Sequence, residues 1–193
     1  MKYYDNSHSE AGQESFVLNM LNEKREGFFV EIGAYDSTTN SNTFLLESEF
    51  GWRGFAIEIN PDGAADYNKN RKSLCANADA ITFDYETYFD FNGFPKRIDY
   101  LQVDIEPAAN TLLALKKLPL NDYRFSVITF EHDLYFSPEN QAVKDKQVEL
   151  LTSLGYVLAV SNVKVDTTRA FEDWWIDPEV ISPDKYSDLN LRY

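Results

Sequence analysis

Apolar residues along the chain fall into short runs separated by stretches with helical spacing. The runs Phe28–Ile32, Gly54–Ile59, Ser73–Asn77, Ile98–Val103 and Phe125–Phe130 read as strands. Residues 10–25 place Phe16, Val17, Met20 and Leu21 on one helical face, with Ser9 as the candidate cap. Leu112, Leu113, Leu115 and Leu118 form a second apolar face before Pro119. A third runs from Pro138 through Val143, Val148, Leu150, Leu151 and Leu154 to a stop at Gly155. Strands alternating with helices imply a parallel sheet covered on both faces. Two later runs, Tyr156–Val160 and Ala170–Ile176, are expected to pair antiparallel at the end of that sheet. The pattern predicts a single α/β domain over residues 1–193: a Rossmann-like, seven-stranded, mostly parallel sheet. A helical extension covers residues 1–27, and the turn-rich residues 178–193 form a surface tail.

Composition adds bounds. At 193 residues, 44% hydrophobic and 15% aromatic, the chain can bury a core without staples. Its one cysteine, Cys75, excludes an internal disulfide and a thiolate metal cluster. The polar start MKYYDNSHSEAGQES lacks a signal-peptide core, and no run reaches the about 18 apolar residues of a membrane span. A cytoplasmic protein with no membrane partner is expected. With Lys+Arg 18 against Asp+Glu 32, the net charge of −14 opposes binding to nucleic acid. The densest basic cluster, Lys69, Arg71 and Lys72, is too small to reverse that balance.

Open α/β sheets bind ligands at the carboxyl ends of their strands. The first strand ends in Glu31, Gly33, Ala34, Tyr35 and Asp36, where Gly33 suits a close backbone approach to a ligand or simply a tight turn. Glu58 and Ile59 end the second strand; a carboxylate there can accept from both hydroxyls of a ribose. Asp79 and Ala80 follow the third strand, placed either to meet an adenine edge or to cap a helix. Asp104 and Glu106 point the same way at the end of the fourth strand, as a base, an acceptor clamp or part of a divalent-cation site. After the fifth strand stand Glu131, His132 and Asp133, with His132 the candidate general base or a structural histidine. Glu172–Trp175 is a candidate substrate wall, although adjacent tryptophans on a strand face opposite ways, which makes at least one of them core.

These pieces resemble a family. VEIGAYD, then SNTFLLE, GWRGFAIEINP, NKNR and DYLQVDIEP are similar to the FkbM-type methyltransferases, over roughly residues 10–176. The resemblance implies the class I S-adenosylmethionine-dependent fold. It implies Glu31, Gly33 and Ala34 beside the methionine of the cofactor, Glu58 at its ribose and Asp79 at its adenine. Ser41 and Asn42 would stand at the helix start beside the site, with Asp104 and Glu106 at the reacting centre. The implied activity is O-methylation of a hydroxyl on a sugar or other small metabolite, with Asp104 or His132 taking the proton. Glu106 would orient the acceptor or share a Mg²⁺ site, and a homodimer is a possible assembly. Two positions depart from the family pattern: Ser37 replaces a glycine in the first loop, and Pro107 replaces the glycine after Glu106. They motivate an alternative, an inactive cofactor-binding or interaction module. A nicotinamide oxidoreductase fits less well, because the glycine-rich fingerprint is absent.

Overall fold

The computed structural model describes residues 1–166, 168–187 and 189. Five strands pair in parallel: β1 (Phe28–Ile32), β2 (Arg53–Glu58), β3 (Leu74–Asn77), β4 (Arg97–Val103) and β5 (Arg124–Glu131). β6 (Val157–Lys164) and β7 (Ala170–Ile176) form an antiparallel pair, with β7 also antiparallel to β5. The sheet order is β3-β2-β1-β4-β5-β7-β6. The chain therefore leaves β1 toward one edge and returns at β4 toward the other, opening a crevice at the tips of β1 and β4.

Side-chain alternation sorts the core into two layers. Val30 and Ile32 of β1 face the layer shared with α4 (Tyr85–Phe91), α5 (Ala108–Lys117) and α6 (Gln141–Ser153). Phe29 faces the opposite layer, with α1 (Gln13–Met20) and α2 (Phe44–Phe50). α3 (Pro61–Asn70) adds Ala64 and Tyr67 over Ala56 and Cys75 on that second face. Burial on both faces is why the parallel strands read as unbroken apolar runs. In β7, Trp174 joins one layer and Trp175 the other, both with no exposed surface. Both tryptophans are core, which corrects the reading of that segment as a substrate wall.

Several boundaries differ from expectation for local reasons. The first helix starts after Gly12, at φ +87°, rather than at Ser9, and no side chain caps it. It stops at Met20 because Asn22 and Glu23 take left-handed conformations and the Glu23 amide closes back on the Leu18 carbonyl at 2.7 Å. Asparagine tolerates that conformation better than most residues, so the helix ends before Asn22 although the expected segment runs to residue 25. The third helical pattern is a short 3₁₀ turn, Pro138–Asn140, capped by Ser137, followed by α6; Gly155 stands beyond it at φ +81°. β6 runs on to Lys164, and Ile59 lies just outside β2.

The C-terminal segment is not only surface. Ile181 and Leu189 are buried against the α1 layer. The Lys185 ammonium donates to the carbonyls of Asn19 and Met20. Residues 188 and 190–193 of the expected tail lie outside the described residues. Among the described residues no helix is long and apolar enough to cross a membrane.

Candidate active site

A cavity of about 490 Å³ opens over the tips of β1, β2, β4 and β5. Its floor is set by a backbone contact. Gly33 sits at φ +89°, and a Cβ there would lie 1.7 Å from the Asp104 carbonyl oxygen. The Gly33 amide donates to Ile57 O at 3.0 Å and the Asp104 amide to Ile32 O at 2.9 Å, so three strand tips are laced together at this residue. Glycine is required there by the neighbouring strand, whatever ligand the turn also admits.

The wall after Gly33 is held by buried charge. Asp36 Oδ1 accepts from the amides of Thr38 and Thr39 at 2.9 and 2.7 Å, and those bonds keep its carboxyl below the ordinary value. The buried Arg71 guanidinium donates to Ser37 O (3.1 Å), Ser41 Oγ (3.2 Å), Thr43 Oγ1 (2.9 Å) and Glu47 Oε1 (2.9 Å). Thr43 Oγ1 in turn donates to Glu31 Oε2 at 2.7 Å, and the Tyr67 hydroxyl reaches the same oxygen at 3.2 Å. Burial raises the Glu31 carboxyl above its usual range, against the pull of Arg71. Ser37 is buried in this wall; its hydroxyl accepts from Asn70 Nδ2 at 3.1 Å, and its φ lies outside the left-handed region. The missing family glycine is therefore not a backbone necessity.

Across the cleft, Glu58 is fixed by two amides: Asn60 donates to Oε1 at 2.7 Å and Tyr35 to Oε2 at 2.9 Å. Each oxygen keeps a lone pair for a further donor. Asp79 Oδ1 accepts from the Ile81 amide at 2.9 Å, which makes a turn, while α4 is capped by Asp84 instead. Tyr35 and Ile59 stand exposed at the rim. The loop at Pro107 is closed by Thr111, whose hydroxyl donates to Ile105 O at 2.6 Å and accepts from the Ile105 amide at 3.2 Å.

At the other end, the carboxyls of Asp104, Glu131 and Asp133 stand close together. Burial pushes Asp104 up to about 6, and burial with the Asp104 charge drives Glu131 far higher. Both shifts run the same way: burial and the neighbouring carboxyl disfavour charge on the pair. Glu106, at the rim, is raised first by partial burial and then by Asp133.

Every residue expected at the cofactor lines this one cavity: Glu31, Gly33, Ala34, Tyr35, Asp36 and Ser41, with Asn42, Glu58, Ile59, Asp79, Ala80 and Asp104. Glu106 joins them. His132 does not. Its ring is fully buried, with Nδ1 accepting from the Leu134 amide at 3.2 Å and Nε2 3.4 Å from Asp173 Oδ1. Asp173 is also held by Lys144 Nζ (2.8 Å), Gln147 Nε2 (2.7 Å) and the Asn162 amide (2.8 Å). His132 belongs to that polar knot between α6 and the late strands, which corrects its candidacy as a general base. Among the described residues no group of three His, Cys, Asp or Glu side chains is arranged to hold a metal ion, and the Mg²⁺ option gains no support.

The cavity also contains residues to which the sequence pattern assigned no role. Glu131 was legible as a strand-tip acid but stood beside the more conspicuous histidine. Gln102 is a polar residue inside the apolar β4, a visible signal of a buried polar role. Gln13 of α1, Glu10 just before it and Phe171 of β7 are brought in by long-range packing that no local pattern announces.

No family model matches the chain, and no curated protein matches it. Solved structures do. The O-methyltransferase from Bacillus cereus in complex with S-adenosylhomocysteine is 14% identical at a TM-score of 0.55, covering 90% of this chain and 84% of that one. The N-methyltransferase NodS from Bradyrhizobium japonicum, also with S-adenosylhomocysteine, is 12% identical at 0.52, covering 90% and 89%. A protein described as an rRNA-methylase from Clostridium thermocellum is 14% identical at 0.56, covering 88% and 97%. The chain has the class I methyltransferase fold; neighbours with such different acceptors leave the acceptor to be argued from the site.

Proposed function

We propose that this protein is an S-adenosylmethionine-dependent methyltransferase of the FkbM type, acting on a hydroxyl of a small molecule such as a sugar. The observation that carries the reading is convergence: the residues expected for ribose, adenine and methionine line one cavity together with Asp104. The cofactor supplies an electrophilic methyl group. Glu58 offers its two free lone pairs to the ribose hydroxyls, and Asp79 with the Ala80 amide stands where the adenine edge would lie. Tyr35 and Ile59 give exposed apolar surface at the rim for the base to cover. Ser41 and Asn42 face the methionine end from the wall that Arg71 holds.

Chemistry then needs in-line placement and a proton acceptor. Asp104 takes the hydroxyl proton, beside the Glu131 carboxyl that burial and the Asp104 charge hold well above its usual range. The inactive-module alternative drew on Ser37 and Pro107. Ser37 is absorbed into the wall and Thr111 closes the loop at Pro107, so neither departure favours it. Calorimetric titration with S-adenosylhomocysteine should show binding to both wild type and Asp104→Asn. Turnover on a panel of sugars should fall by about 100-fold or more in the variant. Wild-type turnover should rise with pH through about 6, as Asp104 ionises, and then level. Full turnover in Asp104→Asn would overturn the assignment; no binding of S-adenosylhomocysteine at millimolar concentration would overturn the cofactor reading.

A further inference from the structure

The charge of the cavity is one-sided. Among the described residues, every charged side chain that lines it is an aspartate or a glutamate. Several of these have work at the cofactor end: Glu31 Oε2 is held by Thr43 and Tyr67 beside Arg71, with Glu58 read at the ribose and Asp79 at the adenine. Glu10, Asp104, Glu106 and Glu131 remain at the acceptor end, with Asp133 beside Glu131. Arg169 lies within electrostatic reach of Glu10, and its guanidinium is bonded to Asp166 Oδ2 at 2.8 Å.

A second observation is independent of that acidity. Gln102 is 1% exposed, lines the same cavity, and its Oε1 has no hydrogen-bond partner. A buried acceptor left unpaired costs about 1–3 kcal/mol, so the site asks for a ligand that brings a donor. Beyond the acids, the exposed ring of Tyr135 lies within electrostatic reach of Asp133, Glu131 and Glu106, with exposed Phe136 beside it. Carboxylates with an aromatic face are what an organic ammonium ion selects.

We propose that the acceptor is a small hydroxylated cation, an amino sugar or amino alcohol, whose protonated amine is recognised by Glu10, Glu106 and the Gln102 carbonyl while its hydroxyl faces Asp104. This rests on the methyl-transfer reading for the role of Asp104, but the ammonium selectivity is measurable without turnover. The same field works against acceptors bearing a carboxylate or a phosphate, nucleic acids included.

The test is ligand binding by NMR, following the Gln102 side-chain amide signals in protein saturated with S-adenosylhomocysteine. Two matched series serve as probes: 2-aminoethanol, ethylene glycol and glycolate; and glucosamine, glucose and glucuronate. In at least one series the cation is expected to bind about tenfold more tightly than its neutral twin, with the anion weakest. The double variant Glu10→Gln/Glu106→Gln should bring cation and neutral twin to within about threefold while its S-adenosylhomocysteine affinity holds. Equal binding of the twins in both series, preference for an anion, or no cation bound at tens of millimolar would each overturn the proposal. If S-adenosylhomocysteine itself does not bind, the cofactor reading fails separately, and the same probe series is read on the free protein.

Discussion

Glu172 gives the sharpest physical test of the acidic end of this fold. It lies on β7, almost without exposure, with Oε2 accepting from Gln13 Nε2 at 2.9 Å and from Trp174 Nε1 at 2.7 Å. Burial pushes its carboxyl from the ordinary 4.5 up to about 8. The folded state thus prefers the protonated form, and the stability this contributes is complete below pH 4.5 and lost as pH rises through about 8. Between those values each pH unit costs about 1.4 kcal/mol. From pH 6 to pH 8 the loss is about 2 kcal/mol, or about 5 °C in melting temperature for a domain of this size. Glu172→Gln keeps the shape and removes the titration. Differential scanning calorimetry of both proteins at pH 6, 7 and 8 should show the wild type falling toward the variant, or below it, by that amount. Glu14 and Glu31, also raised by burial, titrate in both proteins and cancel in the difference. Parallel melting profiles would refute the reasoning.

Two further substitutions test the floor and wall of the cavity. Gly33→Ala drives a methyl group into the Asp104 carbonyl and strains a left-handed backbone; it should cost about 3 kcal/mol or more in urea unfolding and abolish S-adenosylhomocysteine binding, and affinity held within threefold would count against it. Arg71→Met should destabilise by about 3–5 kcal/mol, because Glu47 and Glu31 are left buried without their counter-charge. A loss under 1 kcal/mol on chemical denaturation would show that the guanidinium is not the anchor of the wall.

Much of the sheet was legible because a parallel strand buried on both faces announces itself as an apolar run, and because Gly155, Pro138 and Pro119 punctuate the helices between. The strand-tip acids were legible for the same reason: topology alone sends Glu31, Glu58 and Asp104 to one edge. His132 failed because a residue directly after a strand tip can turn into the cleft or behind it, and the left-handed turn at Asp133 takes the chain away. Leu21 keeps the apolar spacing one residue past the end of the helix, where the backbone preference of Asn22 turns the chain away. The acceptor end was hidden in another way. Glu10 and Gln13 reach it from the far end of the sequence, and only the packing of α1 on the sheet brings them there.

The guanidinium at the centre of the cofactor-side wall has a kinetic consequence. Because Arg71 ties Ser37, Ser41 and Thr43 to α3 before any ligand arrives, the 36–43 segment has already lost its conformational freedom in the folded chain. Ligand binding then spends no free energy on ordering that loop, and entry does not wait for a lid to form. Association should follow a single second-order step set by diffusion and the field of the cavity, with differences in affinity appearing as differences in residence time.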